Sequence, residues 1–560
     1  MAAHFVVECL DCGYSTPYFP TSVSCPRCGS GWREALYDYP SLALTLPLQL
    51  PGRPFDLWRY KELLPVRDHN PELTLGEGGT PLLRATKFGN FIHCTNLFIK
   101  DERQNPTKSF KDRQAAVTIA ALLESGITEM VVASSGNIAL AYAAHAARCG
   151  IKVWAFLTSR VPTAKLREIL LYGARVIKIA GNMDQTRKVA IDFARQRNVF
   201  MDQAAQTVPS VEAMKTLAYE TTEQLSATMG PPIPKSKKQP SNPWRAPDWY
   251  IQPVSVGLGP IGILKGFSEL RIMGLIDRSP AMGLIQPEGC SPMVKAWNLG
   301  MDTIDPLAVQ DTTIESLTTM DPGRAYTLLH HRMAQESGGI FEVATDRETY
   351  KAISLLAHME GILVEPAAGV AIAGLIKLCN RGIIKDKDVV IVNATGHTMP
   401  VESPTHAFQS DRRKMTTTLA ITNSENLIAA LKLVDFSDTP RVLVAIGNEK
   451  TRRIVQLYTL LLGALEVYEA KDHDSTILEV QNRKPDLIIL DLKSSVMSGF
   501  AVMDKIIDKI TQNPIPIIGM TAVEFTPQEK IQLSANIDLA SKRGEVYSPR
   551  NLDDLRALLQ

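Results

Sequence analysis

Lys111 is the residue in this sequence whose type and position most directly offer chemistry. It lies in Asn105–Arg113 (NPTKSFKDR), between an apolar run and a helical pattern. A lysine at a helix start faces the positive end of the helix dipole, and burial would lower its pKa further, leaving a neutral amine that attacks an aldehyde. On this loop alone, a solvated lysine beginning a surface helix is the simpler interpretation.

Two further loops are shaped to receive anionic groups. Ser134–Asn137 (SSGN) begins one helical pattern, where backbone amides and a polar side chain would face an anionic or phenolic oxygen. Val256–Gly262 (VGLGPIG) begins another, and its glycines would let amides close around a phosphate. One such loop is weak evidence for a ligand site, because turns also need glycine. Three such loops in one α/β unit together predict a ligand site.

Four cysteines near the N-terminus have the spacing of a metal site. Cys9 and Cys12 form one CxxC pair, Cys25 and Cys28 form a second, and a glycine follows each pair. Four thiolates suit tetrahedral zinc, and a segment this short would depend on the metal for its folding. The site has no spare ligand position, so its predicted role is structural. The alternative is a ribbon whose cysteines are reduced and hold no metal.

The elements that must position these loops alternate between strand and helix from about residue 76 to 400. Such alternation predicts parallel sheets covered by helices, with ligands bound at the carboxyl ends of the strands. Helical patterns include 164–173 and 189–197. The predicted strands are 96–100, 130–134, 152–157, 175–179, 249–254, 282–287 and 388–394.

The order of the motifs resembles that of a known family. The sequence is similar to pyridoxal-phosphate (PLP) dependent enzymes of fold type II, and within them to threonine synthases, over about residues 5 to 400. The resemblance implies an α/β fold of the tryptophan synthase beta type, with two parallel-sheet subdomains. Its motifs are NPTKSFKDR, SSGN, the glycine loop, EPAAGVAIAGL and ATGH, supported by LYDYPSL, WRYKELLPV and LGEGGTPLLRA.

The resemblance also implies a role for individual residues. Lys111 would carry PLP and act as the base at the substrate Cα and Cβ. The other cofactor-binding residues would be Asn137 at the ring 3-hydroxyl, Gly257, Leu258 and Gly259 at the phosphate, and Thr395 at the pyridine nitrogen. The substrate carboxylate would face Ser134, Ser135 and Gly136.

The reaction implied is conversion of O-phospho-L-homoserine and water to L-threonine and phosphate. One alternative is another fold type II lyase or synthase, such as a threonine or serine dehydratase. Another is a catalytically retired regulatory protein that binds PLP.

Some positions depart from the common family sequence. Lys108 replaces a glycine, Ile138 replaces a threonine, and Thr398–Pro400 stand where glycine and lysine are common. These departures bear on substrate identity more than on the cofactor. Lys108 is either a solvated loop residue or an added cation for a substrate phosphate or carboxylate.

The last 120 or so residues predict a separate (βα)5 unit, with strands at 441–446, 465–470, 486–492 and 515–522. PDLIILDLKSSVMSGF resembles the centre of a response-regulator receiver, with Asp491 at the phosphoacceptor position. Ile446 and Gly447 stand where the receiver's acidic pair should follow the first strand. Because Mg²⁺ needs hard oxygen ligands, the resemblance favours a pseudo-receiver used for dimerisation or partner contact over a working phosphoswitch.

The whole chain of 560 residues predicts two or three domains. The expected boundaries are 1–34 for the zinc ribbon, 35–410 for the PLP-dependent domain, 411–438 for a linker and 439–560 for the receiver-like domain.

The charge balance argues against a polyanionic partner. Lys+Arg total 60 against 59 Asp+Glu, so no overall basic field favours nucleic acid. No apolar run approaches the roughly 20 residues that span a bilayer, and the N-terminus lacks a signal-peptide pattern. We therefore expect a cytoplasmic enzyme of a small phosphorylated amino acid, a homodimer by analogy, with an unspecified partner for its C-terminal domain.

Overall fold

The computed structural model describes residues 5–397 apart from 21, 68, 159, 180, 233–242 and 308–310. Beyond these it describes 416–419, 441–449, 451–453, 455–456, 466–485, 487–491, 501–502, 517–520 and 546–547. Thr398–Pro400 and, apart from 416–419, the predicted linker lie outside the described residues. Internal contacts divide the chain into two compact units, Met1–Phe408 with Thr418–Val434, and Gln409–Thr417 with Asp435–Gln560.

The N-terminal segment forms a small antiparallel sheet. Its strands are β1 (Phe5–Cys9), β2 (Ser15–Thr16) and β3 (Arg33–Tyr37), in the order β2–β1–β3. Side chains alternate between buried and more exposed along β1 and β3, as expected for a sheet with one covered face. The covered face packs into the same apolar cluster as the helices of the first unit.

Ten strands follow in the first unit and form two sheets. They are β4 (Leu82–Arg84), β5 (Asn96–Asp101), β6 (Glu129–Ser134), β7 (Lys152–Thr158), β8 (Arg175–Ile179), β9 (Phe200–Met201), β10 (Trp249–Pro253), β11 (Ala281–Pro287), β12 (Gly339–Ala344) and β13 (Val389–Ala394). The larger sheet runs β12–β11–β10–β13–β5–β4 and is parallel except for β4, which pairs antiparallel with β5. In the smaller sheet, β8–β7–β6–β9 are parallel neighbours.

Helices cover both sheets. They are α1 (Tyr39–Gln49), α2 (Thr86–Phe91), α3 (Lys111–Glu124), α4 (Asn137–Cys149), α5 (Thr163–Leu171), α6 (Met183–Arg197), α7 (Val208–Met214), α8 (Thr216–Met229), α9 (Leu258–Ile272), α10 (Pro292–Asn298), α11 (Arg324–Arg332), α12 (Asp346–Glu360) and α13 (Pro366–Asn380). Strands buried on both faces read as apolar runs, which is why the central ones were visible in the sequence. Among the described residues, no helix has the length and apolarity that crossing a membrane requires.

The seven strands predicted between residues 76 and 400 are confirmed, with bounds differing by one residue or less at each end. The two sheets of parallel strands confirm the predicted α/β fold class. The sequence analysis missed β4, β9 and β12. The first two are only three and two residues long, and β12 begins within the glycine pair Gly338–Gly339, which weakens a strand pattern in the sequence.

The C-terminal unit contains a parallel sheet. After a short strand β14 (Thr416–Leu419), its elements are β15 (Arg441–Ala445), β16 (Glu466–Ala470), α14 (His473–Arg483), β17 (Leu487–Asp491), β18 (Ile517–Met520) and β19 (Val546–Tyr547). The order β16–β15–β17–β18–β19 is that of flavodoxin-like folds. A strand is present at each of the four predicted positions, and Asp491 ends β17. The receiver assignment itself stays a prediction.

Candidate active site

The predicted loops meet in one cleft. Strands β5, β6, β10 and β13 all point their carboxyl ends towards it, as parallel sheets require of a ligand site. The cleft encloses about 1070 Å³ of space that opens to solvent. The predicted site residues that line it are Lys111, Ser134, Ser135, Asn137, Gly257, Leu258, Gly259 and Thr395.

Lys111 is the first residue of α3, and its side chain lies in the wall of the cleft. Desolvation by the surrounding protein lowers its pKa to about 8, although the carboxylates of Asp202 and Glu365 act in the opposite direction. The Nζ atom lies 4.3 Å from the ring centroid of Phe110. The neutral, nucleophilic form of this amine is therefore far more populated near neutral pH than in a lysine of ordinary pKa.

Thr395 ties the end of β13 to the loop before Lys111. Its Oγ1 accepts a hydrogen bond from the amide of Phe110 at 3.1 Å, and the amide of Gly396 donates to the carbonyl of Lys108 at 3.0 Å. The Thr395 hydroxyl can still donate its own proton. This is the property that a partner for an unprotonated pyridine nitrogen needs.

Lys108 lies outside the residues that line the cleft, and its side chain is exposed. Its φ of +67° falls in the left-handed region, which favours glycine. The family's glycine at this position therefore has a backbone reason, and in this chain a lysine adopts the same conformation.

Glu365 is a site residue that the sequence analysis did not single out. It is buried, accepts a hydrogen bond from Asn137 Nδ2 at 2.6 Å, and forms an ion pair with Lys165 at 2.7 Å. A Cβ on Gly396 would overlap the Glu365 carboxyl group, so glycine is required there. The signal in the sequence was its place in EPAAG, directly before a proline that begins α13.

The SSGN loop is held by its own first residue. Ser134 Oγ accepts from the amides of Gly136 at 2.9 Å and Ala139 at 3.2 Å, which braces the start of α4. Gly136 has a φ of +145°, and a Cβ there would lie 2.9 Å from Lys165 Cδ. Ser135 lines the cleft, whereas Gly136 is not among the lining residues. The assignment of this loop to a substrate carboxylate stays a prediction.

The glycine loop forms a cradle at the start of α9. Gly257 has a φ of +85°, and the amides of Leu258 and Gly259 precede the first carbonyls that could pair with them inside the helix. A Cβ on Gly259 would overlap Gln252 and lie 3.1 Å from Phe110. Free amides, a helix dipole and open space together fit a phosphate group.

Taken together, the side chains fit pyridoxal phosphate. The cleft offers a primary amine, a hydroxyl donor for a ring nitrogen and amides for a phosphate. It also holds the side-chain oxygen of Gln252, which is buried and has no hydrogen-bond partner among the described residues. Gln252 was not anticipated from the sequence, because a glutamine inside an apolar strand has no distinguishing pattern.

The four N-terminal cysteines also come together. Their sulfur atoms all lie within 4.8 Å of one another, with Cys9 and Cys28 at 3.5 Å and Cys12 and Cys25 at 3.7 Å. Zinc–sulfur bonds of about 2.3 Å in a tetrahedron place sulfur atoms about 3.8 Å apart. The cluster therefore has the composition and size of a zinc site.

Comparison with known proteins agrees with this geometry. Residues 73–396 match the family model described as "Pyridoxal-phosphate dependent enzyme". The chain is 34% identical over 392 residues to a threonine synthase of Methanocaldococcus jannaschii, covering 70% of this chain and 91% of that protein. A threonine synthase of Methanosarcina acetivorans is 32% identical with the same coverage.

Among solved structures, threonine deaminase isoform 2 from Solanum lycopersicum matches with 18% identity and a TM-score of 0.46, covering 59% of this chain and 87% of that one. The cleft and the sequence relatives agree on the cofactor class. The chain belongs to the family of pyridoxal-phosphate dependent enzymes and is a homologue of threonine synthases.

Proposed function

We propose that this protein is a threonine synthase, which converts O-phospho-L-homoserine and water to L-threonine and phosphate. The observation that carries the proposal is a lysine of lowered pKa in a cleft whose other walls fit PLP, in a chain covering 91% of a threonine synthase. The reaction removes phosphate from the substrate Cγ and adds water at Cβ.

When bound, the cofactor supplies the electron sink that makes protons at the substrate carbons labile. Lys111 provides the base. Because its pKa lies near 8, the amine both accepts and returns a proton near neutral pH, as movement of a proton between Cα and Cβ requires. Thr395 would donate its hydroxyl proton to the ring nitrogen, and a neutral hydroxyl is a partner that does not protonate that nitrogen.

The N-terminus of α4 orients the substrate. The helix dipole and the SSGN backbone favour a carboxylate there. Asn137 donates its Nδ2 to Glu365 at 2.6 Å, which fixes the orientation of the side chain that would contact the cofactor 3-hydroxyl. This holding reduces the reorganisation needed when the substrate binds.

The test measures phosphate release and threonine formation from O-phospho-L-homoserine with the purified, cofactor-loaded chain. Lys111→Ala is expected to lose both activities and the visible absorption band of lysine-bound cofactor. Lys87→Ala, which changes an exposed lysine of α2, is the control and is expected to keep all three.

Other results would point to the alternatives. Ammonia and a 2-oxo acid formed from threonine or serine, without phosphate release, would indicate a dehydratase. A cofactor band without turnover of any of these amino acids would indicate a regulatory protein.

We further propose that the Cys9–Cys28 segment is a structural zinc ribbon. Its support is the four-sulfur cluster, whose atoms all lie within 4.8 Å of one another. Metal analysis is expected to find about one zinc per chain. Cys12→Ser should lower the zinc content, whereas Cys149→Ser, which changes a lone cysteine of α4, should not.

The C-terminal unit is proposed to be a pseudo-receiver. Arg452 donates to the carbonyl of Ile446 at 2.7 Å and pairs with Glu469 at 3.0 Å, so a cation lies at the end of the first strand of its sheet. A fixed cation there is unfavourable for Mg²⁺. Incubation with acetyl phosphate and Mg²⁺ is expected to leave Asp491 unmodified, and phosphate incorporation abolished by Asp491→Asn would contradict the proposal.

A further inference from the structure

The charged side chains that line the active-site cleft are not equivalent. Five of its lining residues are acidic or basic: Lys111, Arg187, Asp202, Glu315 and Glu365. A substrate with a carboxylate and a phosphate, bound beside the cofactor phosphate, brings three anionic groups into this space. Each of them needs a donor or a cation, because an unpaired buried anion is costly.

The three acids of the cleft are already engaged. Glu365 pairs with Lys165 at 2.7 Å, and Glu315 pairs with Arg160 at 2.7 Å. Asp202 accepts hydrogen bonds from a buried amide side chain, a serine hydroxyl and a backbone amide. The pairings of Glu365 and Glu315 also engage Lys165 and Arg160, so both of these cations already have a carboxylate partner.

Arg187 differs from these residues. Within the described part of the chain, its guanidinium forms no ion pair within 4.0 Å and no side-chain hydrogen bond, although it interacts electrostatically with Asp184 of the same helix. It is half-buried on α6, one turn after Met183, which lines the same cleft. Residues four apart share a helix face, so this face of α6 presents to the cleft an apolar side chain and a cation that is not held in an ion pair.

Two helix N-termini at the cleft can also bind anionic groups, and each already has a proposed ligand. The amides at the start of α9 fit the cofactor phosphate, and the start of α4 fits the substrate carboxylate. Lys111 is needed as a neutral base, and Lys108 is exposed outside the cleft. The distal phosphate of the substrate then has no assigned partner. Among the described residues that line the cleft, Arg187 is the cation that has neither an ion pair nor another role.

We propose that Arg187 binds the distal phosphate monoester of the substrate and so determines specificity for a phosphorylated amino acid. The planar guanidinium donates two parallel hydrogen bonds to phosphate oxygens, which a lysine does not reproduce. This inference rests on the proposed function for the identity of the substrate. The binding of phosphate at Arg187 is nevertheless measurable without turnover.

The test compares Arg187→Gln and Arg187→Lys with the wild-type holoenzyme. Lys188→Gln is the matched control, because Lys188 is the next residue of α6, is exposed and does not line the cleft. All variants should keep the cofactor absorption band, which verifies folding and loading. Loss of one charge-assisted contact predicts a KM for O-phospho-L-homoserine raised by about 10- to 100-fold in Arg187→Gln.

A second readout separates phosphate from carboxylate recognition. L-Threonine carries the carboxylate but no phosphate, so its affinity, followed by the change in cofactor absorption, should change by less than about twofold in Arg187→Gln. Inorganic phosphate should bind the wild-type holoenzyme in calorimetry and bind Arg187→Gln at least about tenfold more weakly. Arg187→Lys should recover part of both losses.

Several results would overturn the inference. They are an unchanged KM, an equal loss of affinity for L-threonine, and the same phosphate affinity, or none, in both wild type and variant. If wild-type enzyme does not turn over O-phospho-L-homoserine but binds inorganic phosphate in an Arg187-dependent way, the proposed function fails and the phosphate site stands.

Discussion

Lys111 sets the pH range in which the cleft can react. Its amine is neutral only when a proton has left it, and the surrounding protein brings that event into the range near pH 8. The neighbouring carboxylates Asp202 and Glu365 limit how far the pKa falls. The balance leaves a base that can still be protonated, which a residue that must return protons requires.

The first prediction concerns the rate at which the apo-protein takes up PLP. Because the neutral amine attacks and the pKa of Lys111 is lowered to about 8, uptake should accelerate as pH rises and level off above this value. The measurement is the growth of the visible absorption band between about pH 6 and 9.5. A rate that still rises without levelling off at the upper end of this range would show that the side chain keeps the usual lysine pKa of 10.5 and is not desolvated.

The second prediction concerns the cradle at α9. In Gly259→Ala the new methyl group overlaps Gln252 and crowds Phe110, so the loop must shift and PLP affinity should fall by about tenfold or more. Equilibrium titration of apo-protein with PLP gives this affinity. Gly52→Ala is the control, since a Cβ at Gly52 meets no atom within 4 Å.

At the scale of elements, the N-terminal sheet is bonded to a buried ionic cluster of the helices that follow it. Glu212 of α7 accepts hydrogen bonds from the amide of Ala35 at 3.2 Å and the hydroxyl of Tyr37 at 3.1 Å, both on β3. It also pairs with Lys265 of α9 at 2.7 Å and with Lys215 at 2.5 Å. Lys265 also donates to the carbonyl of Ala35 at 2.6 Å, so β3 is bonded to α9, the helix that begins at the phosphate cradle.

Glu212→Gln should therefore destabilise the first unit strongly. Two buried lysines would lose an anion, and breaking a buried ion pair typically costs about 3–5 kcal/mol. The midpoint of urea unfolding, followed by the loss of cofactor absorption, measures the effect.

Arg278→Gln is the comparison for this cluster. The substitution removes the ion pair between Arg278 and Asp248, whose side chains are 48% and 33% exposed. The free energy of unfolding should therefore change by less than about 1 kcal/mol. Equal shifts in the two variants would mean that the Glu212 cluster contributes no more than a surface pair.

At the scale of the whole molecule, every cofactor-binding residue proposed above lies in the first compact unit. A chain ending at Val434 should therefore retain the cofactor absorption band and turnover. Light scattering of the full chain and of this shortened chain tests whether each is the expected homodimer. A shortened chain that loads cofactor but does not turn over would instead assign a regulatory role to the C-terminal unit.

The sequence by itself determined the elements and the loops. Apolar runs buried on both faces marked the central strands, and glycines and polar residues after them marked the ligand loops, because these are local consequences of backbone geometry. The spacing of the two CxxC pairs likewise indicated a metal site directly from the sequence. Short edge strands such as β4 and β9 remained invisible, since two or three residues carry no periodicity.

Only the tertiary structure decided which charges remain free inside the cleft. Glu365 and Arg187 lie far apart in sequence and carry no motif that distinguishes a paired from an unpaired group. The ion pair of Glu365 with Lys165 joins residues 200 positions apart, whereas Arg187 forms no ion pair within 4.0 Å with any residue that the structure describes. The proposed recognition of the substrate phosphate depends on a charge that is not held in an ion pair. Which charges are paired is decided by tertiary packing and not by a local sequence pattern.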